Sequence, residues 1–386
     1  MRIELLAKRV DEQPGLFVTL REGCGDDVDR VAHEGDLLRR RRRNSVSGTT
    51  NGTTTTISMI GTNELRGAGI IYELMYDPFV SGRFTVAERS MQAFDTVRNR
   101  SFPCDMWRPT EPVGVCPIIL LSHASGGSGP RGYTFLTNHL ASHGYIVAGL
   151  NHSELVAPEL QRWEGETSEQ RAARAEAAIA SRVPDIRFLL DYVLTEAPLE
   201  PAPVGIVGHS FGGWTALASP DVLHQIRAVV ALAPSGSSNP RPGILPAKLA
   251  FKWGRDVPTL VLVADNDVCL PLDGMYEIFD RIPAAKRMVI LRHADHMHFM
   301  DNVEQLHEAV RTSPPWIPEL DYLQKEMRPI AELCAGEQSH LFVRGLTVAH
   351  FDAVLKHNDE ARRFLAGDIQ AELASRGVEA FVHSAA

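Results

Sequence analysis

The chain has 386 residues, of which 44% are hydrophobic, and its formal net charge is −9. This length allows one large α/β domain or two smaller ones, and the hydrophobic content suffices for a large core. The acidic balance argues against a nucleic-acid-binding protein and fits a protein that takes small neutral or apolar substrates.

Cysteine usage and the start of the chain bear on the cellular compartment. The cysteines are odd in number and scattered, and no Cys-x-x-Cys occurs, so the pattern indicates neither a disulfide framework nor a cysteine zinc site. Charged residues follow Met1 where a secretory signal would have an apolar segment, and no apolar run approaches the length of a membrane span. We therefore expect a cytoplasmic protein without stable membrane insertion.

Residues 1–60 differ in composition from the rest. Residues 39–43 are consecutive arginines, and a polar run rich in Ser, Thr, Gly and Asn follows them. Such a run lacks the apolar content that would offset the entropy of ordering it. We expect a disordered or non-native extension over 1–60, with a native start at Met59 or Met75, and a single domain over 61–386. The arginines are either a solvated tail or a patch for nucleic acid or another anionic surface.

Hydrophobic patterns beyond residue 70 predict eight strands. Residues 84–91 and 101–107 flank a turn at 95–100 and form the first two strands. The other six runs are apolar and too short for helices, as is typical of buried parallel strands. They are residues 117–122, 145–150, 203–207, 227–233, 259–264 and 287–291.

Helical patterns lie between these strands. Residues 133–143 end at Gly144, a suitable helix terminator. Residues 168–181 predict a second helix, and residues 184–193 a third that starts at Pro184. The alternation of strand and helix predicts right-handed crossovers and a doubly wound, mostly parallel eight-stranded α/β sheet with helical insertions.

The fifth predicted strand leads into a Gly-x-Ser-x-Gly pattern, Gly208 to Gly212, with Ser210 at its centre. A serine between a strand and a helix is held at a sharp, strained turn with its hydroxyl exposed. The N–H of Phe211 would open the helix and is a candidate donor to a developing oxyanion. Alone, the pattern also fits a glycine-rich turn with a surface serine.

Partners for Ser210 are expected in the loops after later strands, because sites gather at the carboxyl edge of an open sheet. Asp265 and Asp267 follow the seventh strand, and His293, His296 and His298 follow the eighth. Histidine can take the serine proton, and aspartate can hold the imidazole tautomer. His296 is the predicted base with His298 in reserve, and the aspartate is left open. The alternative is a metal ion shared by the imidazoles.

The loop after the third predicted strand contains Ser125, whose N–H is the candidate second oxyanion donor. The glycines that follow let backbone N–H groups face inward. A phosphate cradle is the alternative, but the loop has neither the Gly-x-Gly fingerprint nor a P-loop lysine.

Several segments together resemble the serine α/β-hydrolases known as predicted dienelactone hydrolases and the related platelet-activating-factor acetylhydrolases. The segments are 95–100, 105–109, 122–127, 140–147, 208–213, 264–267 and 296–299. The resemblance spans about residues 70 to 300, plus a C-terminal helix near 349–365.

The resemblance implies an α/β-hydrolase fold with roles for specific residues. Ser210, Asp267 and His296 would form the catalytic triad, and the N–H groups of Ser125 and Phe211 the oxyanion hole. The chain departs from the pattern at Ala124, where the group usually has glycine. It also has a serine where dienelactone hydrolases proper use a cysteine, which argues against a dienelactone substrate.

We predict a serine hydrolase that cleaves carboxylic esters, short-chain or lipid-like, with a small-molecule ester as its partner and no metal or organic cofactor. The long connections 151–183 and 301–340 are candidate lid segments. An acyltransferase or amidase would use the same triad on the same fold. A non-catalytic binding protein with a relic pocket, or an interaction protein acting through the arginines, are the alternatives from other classes.

Overall fold

The structure is a computed structural model that divides the chain into two compact units, Met1–Met75 and Tyr76–Ala386. Within the first unit it describes only the backbone of short strands. Within the second unit it describes residues 76–111, 114–125, 129–163, 165–196, 202–315 and 317–383.

The first unit contains a strand pair and a four-stranded antiparallel sheet. The strands are β1 Leu5–Lys8, β2 Phe17–Leu20, β3 Ser45–Thr50, β4 Thr53–Ile60, β5 Glu64–Gly67 and β6 Ile70–Glu73. The arginines at 39–43 lie outside the described residues. The expectation of an extension over 1–60 falls largely on undescribed residues, and it stays a prediction together with the domain boundary at 60.

The second unit is built on a nine-stranded sheet in the order β15-β14-β13-β12-β11-β9-β10-β8-β7. Strands β9 to β14 run parallel, and an antiparallel partner closes each side. The strands are β7 Val86–Asp95, β8 Arg100–Pro109, β9 Ile118–Ser122, β10 Ile146–Leu150, β11 Val204–His209, β12 Ile226–Leu232, β13 Thr259–Ala264, β14 Lys286–Leu291 and β15 Ala380–His383.

Helices cover both faces of this sheet. Successive residues of a strand point to opposite faces, so Leu120 joins the cluster under α3 to α5, and Leu121 joins the one under α1 and α8. The predicted doubly wound α/β sheet is therefore confirmed. The helices are α1 Thr134–Ser142, α2 Ser153–Val156, α3 Ser168–Glu196, α4 Phe211–Ala218, α5 Leu272–Arg281, α6 Val303–Thr312, α7 Tyr322–Glu326, α8 Gly336–Leu355, α9 Asp359–Ala366 and α10 Ile369–Ala374.

The sheet has one strand more than the eight predicted. β15 has only four residues and pairs antiparallel with β14. A segment this short carries too few alternations to signal a strand, and its conformation depends on the pairing. The eight predicted strands correspond to β7 to β14 with shifted ends.

Three helix predictions are wrong in their boundaries. The segments 168–181 and 184–193 form the single 29-residue helix α3, with Pro184 inside it. Proline removes one helical hydrogen bond, but buried Ile186 and Leu189 fix the following turns against the sheet. The C-terminal segment 349–365 is split between α8 and α9, because His357 has a positive φ of 53° and ends the first helix.

The candidate lid segments contain several short elements. α2, a 3₁₀ turn and the start of α3 occupy 151–183, and α6, α7 and two 3₁₀ turns lie within 301–340. Their role as lids stays a prediction. Among the described helices, none has both the length and the apolarity needed to cross a bilayer. The cytoplasmic location also stays a prediction.

Packing of α8 on the sheet gives a first test. Phe351 is fully buried, and a Cβ added to Gly205 on β11 would lie 2.9 Å from its ring. Phe351→Ala should lower the free energy of unfolding by about 3–5 kcal/mol, because it deletes buried contacts and leaves a cavity. Phe94 is 56% exposed on β7, so Phe94→Ala should cost less than about 1 kcal/mol. Denaturant titration measures both, and equal losses would contradict this packing.

Candidate active site

Ser210 lies at a sharp turn between β11 and α4, with φ 58° and ψ −118°. A non-glycine residue rarely adopts this backbone conformation. Glycine neighbours make the turn compact: a Cβ on Gly208 would lie 2.1 Å from the Gly212 carbonyl oxygen, and one on Gly212 would lie 2.0 Å from that of Ser122. Neither position has room for a Cβ, so close backbone contact requires glycine at both ends of the Gly-x-Ser-x-Gly pattern.

His296 and Asp267 lie beside this serine in an unbroken hydrogen-bonded chain. The Nε2 of His296 is 2.9 Å from the Oγ of Ser210, and its Nδ1 is 2.7 Å from the Oδ2 of Asp267. The other carboxylate oxygen accepts the N–H groups of Cys269 and Leu270 at 2.9 and 2.8 Å. Asp267 is thus fixed by backbone, and it orients the imidazole.

The electrostatics of this chain favour one tautomer. An ionised carboxylate only accepts hydrogen bonds, so the Nδ1 of His296 carries the hydrogen and the Nε2 lone pair faces the Ser210 hydroxyl. Burial opposes the charged imidazolium, but the charge and hydrogen bond of Asp267, together with the charge of Asp295, raise the pKa of His296 above its ordinary value. The arrangement can therefore accept a proton from Ser210.

The other candidates from the sequence have different partners. The Oδ2 of Asp265 is 2.8 Å from the Nε of Arg292. His298 contacts Asp295 and the carbonyl oxygen of Cys334, and the exposed His293 is 3.5 Å from Glu379. Among the described residues, no group of three or more His, Cys, Asp or Glu side chains could hold a metal ion.

The candidate oxyanion donors lie on two adjoining segments, since a Cβ on Gly212 would lie 2.0 Å from the Ser122 carbonyl oxygen and 2.7 Å from that of His123. Phe211 is the first residue of α4, and the first N–H groups of a helix have no intrahelical acceptor. Ser125 is exposed in the loop that follows β9, and residues 126–128 of this loop lie outside the described part of the chain. The roles of these two N–H groups stay predictions.

A buried polar network behind this loop was missed by the sequence analysis. The Oγ of Ser122 is 2.9 Å from the Nε2 of His152, whose Nδ1 is 3.1 Å from the Oδ2 of Asp185. All three side chains are fully buried, so this chain of Ser, His and Asp is shielded from substrate. Its sequence signal was Arg182 and Asp185 within the apolar stripe of α3, where charged residues are rare unless paired.

A second buried cluster holds the turn that carries His296. Asp295 accepts from the Nδ1 of His298 at 2.8 Å, and its other oxygen is 2.6 Å from the Nδ1 of His307 on α6. Burial opposes the charged form, but hydrogen bonds to Asp295 and the Cys334 carbonyl raise the pKa of His298 to about 10. The Asp295–His298 pair thus stabilises the fold as a charged pair.

This pair makes stability depend on pH. Because the pKa of His298 is raised from 6.5 to about 10, its contribution is fully present below pH 6.5 and is lost as the pH rises through about 10. His298→Gln should therefore lower the thermal midpoint more at pH 6 than at pH 9. His293→Gln, at an exposed site, should show no such difference. An equal penalty for His298→Gln at both pH values would contradict the charged pair.

Comparisons with known proteins agree with this architecture. A family model described as Chlorophyllase matches residues 75–261. A solved ferulic acid esterase from Streptomyces cinnamoneus is 19% identical with a TM-score of 0.52, over 72% of this chain and 92% of that chain. No curated protein matches the chain in sequence.

The structural similarity shows that the chain has the α/β-hydrolase fold. The family match indicates a carboxylic ester hydrolase. The resemblance to predicted dienelactone hydrolases and platelet-activating-factor acetylhydrolases is finer than these matches and stays a prediction.

Proposed function

We propose that this protein is a serine esterase that cleaves carboxylic esters through an acyl-enzyme on Ser210, His296 and Asp267. The observation that carries the proposal is the chain of contacts from Ser210 Oγ to His296 Nε2 at 2.9 Å and from His296 Nδ1 to Asp267 Oδ2 at 2.7 Å. An alcohol is a weak nucleophile at neutral pH, and an adjacent base with an orienting partner is what activates it.

In the first half-reaction, the Ser210 oxygen attacks the ester carbonyl carbon while His296 Nε2 takes the hydroxyl proton. Asp267 stabilises the resulting imidazolium. The negative charge on the former carbonyl oxygen is held by the N–H groups of Ser125 and Phe211, each worth about 3–4 kcal/mol of transition-state stabilisation. The tetrahedral intermediate collapses, the bond to the alkoxy oxygen breaks, and His296 returns the proton to the leaving alcohol.

In the second half-reaction, His296 takes a proton from water as the water oxygen attacks the acyl carbon. Collapse of this intermediate breaks the bond to Ser210, and the proton returns to the serine oxygen as the acid leaves. Every step uses side chains, backbone N–H groups and water. Short-chain or lipid-like esters are the proposed substrates. This agrees with the net charge of −9, because an acidic protein fits neutral or apolar substrates.

Removal of the nucleophile tests the proposal directly. Ser210→Ala should lower kcat for p-nitrophenyl esters by about 10⁶, because the triad acts as a unit. Ser219, whose buried hydroxyl donates to the Thr215 carbonyl at 2.7 Å, provides the matched control, and Ser219→Ala should keep the wild-type rate. Failure of a fluorophosphonate to label Ser210 in the folded protein would refute the proposal, and a graded acyl series would define the preferred chain length.

The role of Asp267 has a separate signature. Asp267→Asn should reduce kcat by about 10⁴, because the amide favours the wrong imidazole tautomer. The wild-type kcat/KM should fall as the pH drops through the raised pKa of His296, since the imidazolium cannot accept a proton. Loss of the Asp267 charge should move that midpoint to lower pH. Asp265→Asn is the matched control; a severe loss there with a mild one at Asp267 would exchange their roles.

A further inference from the structure

Arg182 is a fully buried cation whose donors are directed at the loop that carries Ser125. From α3, its Nη1 donates to the His123 carbonyl oxygen at 2.6 Å, and its Nη2 donates to the Ala124 carbonyl oxygen at 3.3 Å. Nη2 also pairs with the carboxylate of Glu154. Burying a guanidinium is costly unless it is paired, and here Glu154 balances the charge while two successive backbone carbonyls of one loop accept from the two terminal nitrogens.

The second of these carbonyls belongs to the peptide unit that supplies the Ser125 N–H. In the trans peptide joining Ala124 to Ser125, the C=O and the N–H point in opposite directions. Holding the carbonyl on the buried side therefore directs the N–H to the other side.

His123 fixes the same carbonyl from a second direction. Its Nδ1 donates to the Ala124 oxygen at 2.6 Å, and its Nε2 accepts the His152 N–H at 3.0 Å. Burial and the charge of Arg182 hold the pKa of His123 well below its ordinary value. The imidazole is thus neutral, with its hydrogen on Nδ1, and Arg182 supplies the charge at this carbonyl.

Arg182 also contacts the segment that supplies the other candidate donor. The guanidinium carbon lies 4.1 Å from the ring centroid of Phe211, the residue after Ser210. One side chain therefore packs against both segments proposed to form the oxyanion hole. Such preorganised donors are effective because they need not reorient as the charge develops.

We propose that Arg182 is a positioning residue of the oxyanion hole. It fixes the peptide between Ala124 and Ser125 from behind, polarises it, and packs against Phe211, so that both N–H groups are set before substrate binds. The inference rests on the proposed esterase function. It assigns Arg182 no contact with substrate.

Arg182→Met keeps the bulk of the side chain and removes the charge and the donors. We expect kcat for p-nitrophenyl acetate, per active site titrated with a fluorophosphonate, to fall between about 10-fold and 10³-fold, with KM changed less than about 3-fold. Affinity for a trifluoromethyl ketone, whose adduct with Ser210 carries an oxyanion, should fall in parallel. A merely structural role would lower the thermal midpoint and leave both quantities unchanged.

Arg187 provides the matched control on the same helix. Its Nη2 donates to the Val222 carbonyl at 3.0 Å, away from the loop, and Arg187→Met should keep the wild-type kcat and ketone affinity. Arg182→Lys keeps a charge but lacks the fork that reaches two carbonyls and Glu154, and we expect a smaller loss of both quantities. Wild-type kcat and ketone affinity in folded Arg182→Lys would overturn the inference, whether or not the methionine variant folds.

The outcomes separate the inference from the function on which it rests. An active wild type, an inactive Ser210→Ala and an unimpaired Arg182→Met would refute the role of Arg182 alone. A wild type that neither hydrolyses esters nor reacts with the fluorophosphonate would refute the esterase function itself.

Discussion

Backbone strain at Ser210 is the constraint on which the rest of the site depends. Its positive φ costs about 1–3 kcal/mol, and contacts from neighbouring segments maintain it. Its N–H donates to the Leu232 carbonyl at 2.9 Å, and its own carbonyl accepts from Trp214 and Ser235 at 3.0 Å. The parallel sheet therefore holds the turn by hydrogen bonds to β12 and to the segment after it. A hydroxyl fixed in this way needs no rearrangement to meet His296.

Local signals explain how much of the fold could be predicted from the sequence. Strands β9, β10, β11 and β13 are buried along their whole length, and such strands are short continuous apolar runs that stand out in the sequence. Pro184 misled the helix prediction, because a proline in a helix is favoured in the first turn and disfavoured in the interior. Here the packing of Ile186 and Leu189 outweighs one missing hydrogen bond. β15 was missed because its conformation comes from pairing with β14.

The candidate site likewise contains residues with a local sequence signal and residues that only tertiary contacts bring together. Ser210, Asp267 and His296 could be proposed because each follows a recognisable strand, and strand ends meet at one edge of a parallel sheet. Arg182 and Asp185 could not, because their partners are brought to them by tertiary structure: the contact between Arg182 and His123 joins residues 59 positions apart. Their one local signal, charge within an apolar helix stripe, does not say which segment neutralises it.

β15 covers the edge of an apolar strand that would otherwise favour aggregation. The adjacent β14 includes buried Met288, Val289 and Ile290, and an apolar strand left at a sheet edge is a template for pairing with other molecules. The backbone of β15 pairs with the N–H and C=O groups of β14. Its four residues are partly exposed and include His383. This edge of the sheet is therefore a strand of only four residues, and so short an edge disfavours edge-to-edge aggregation.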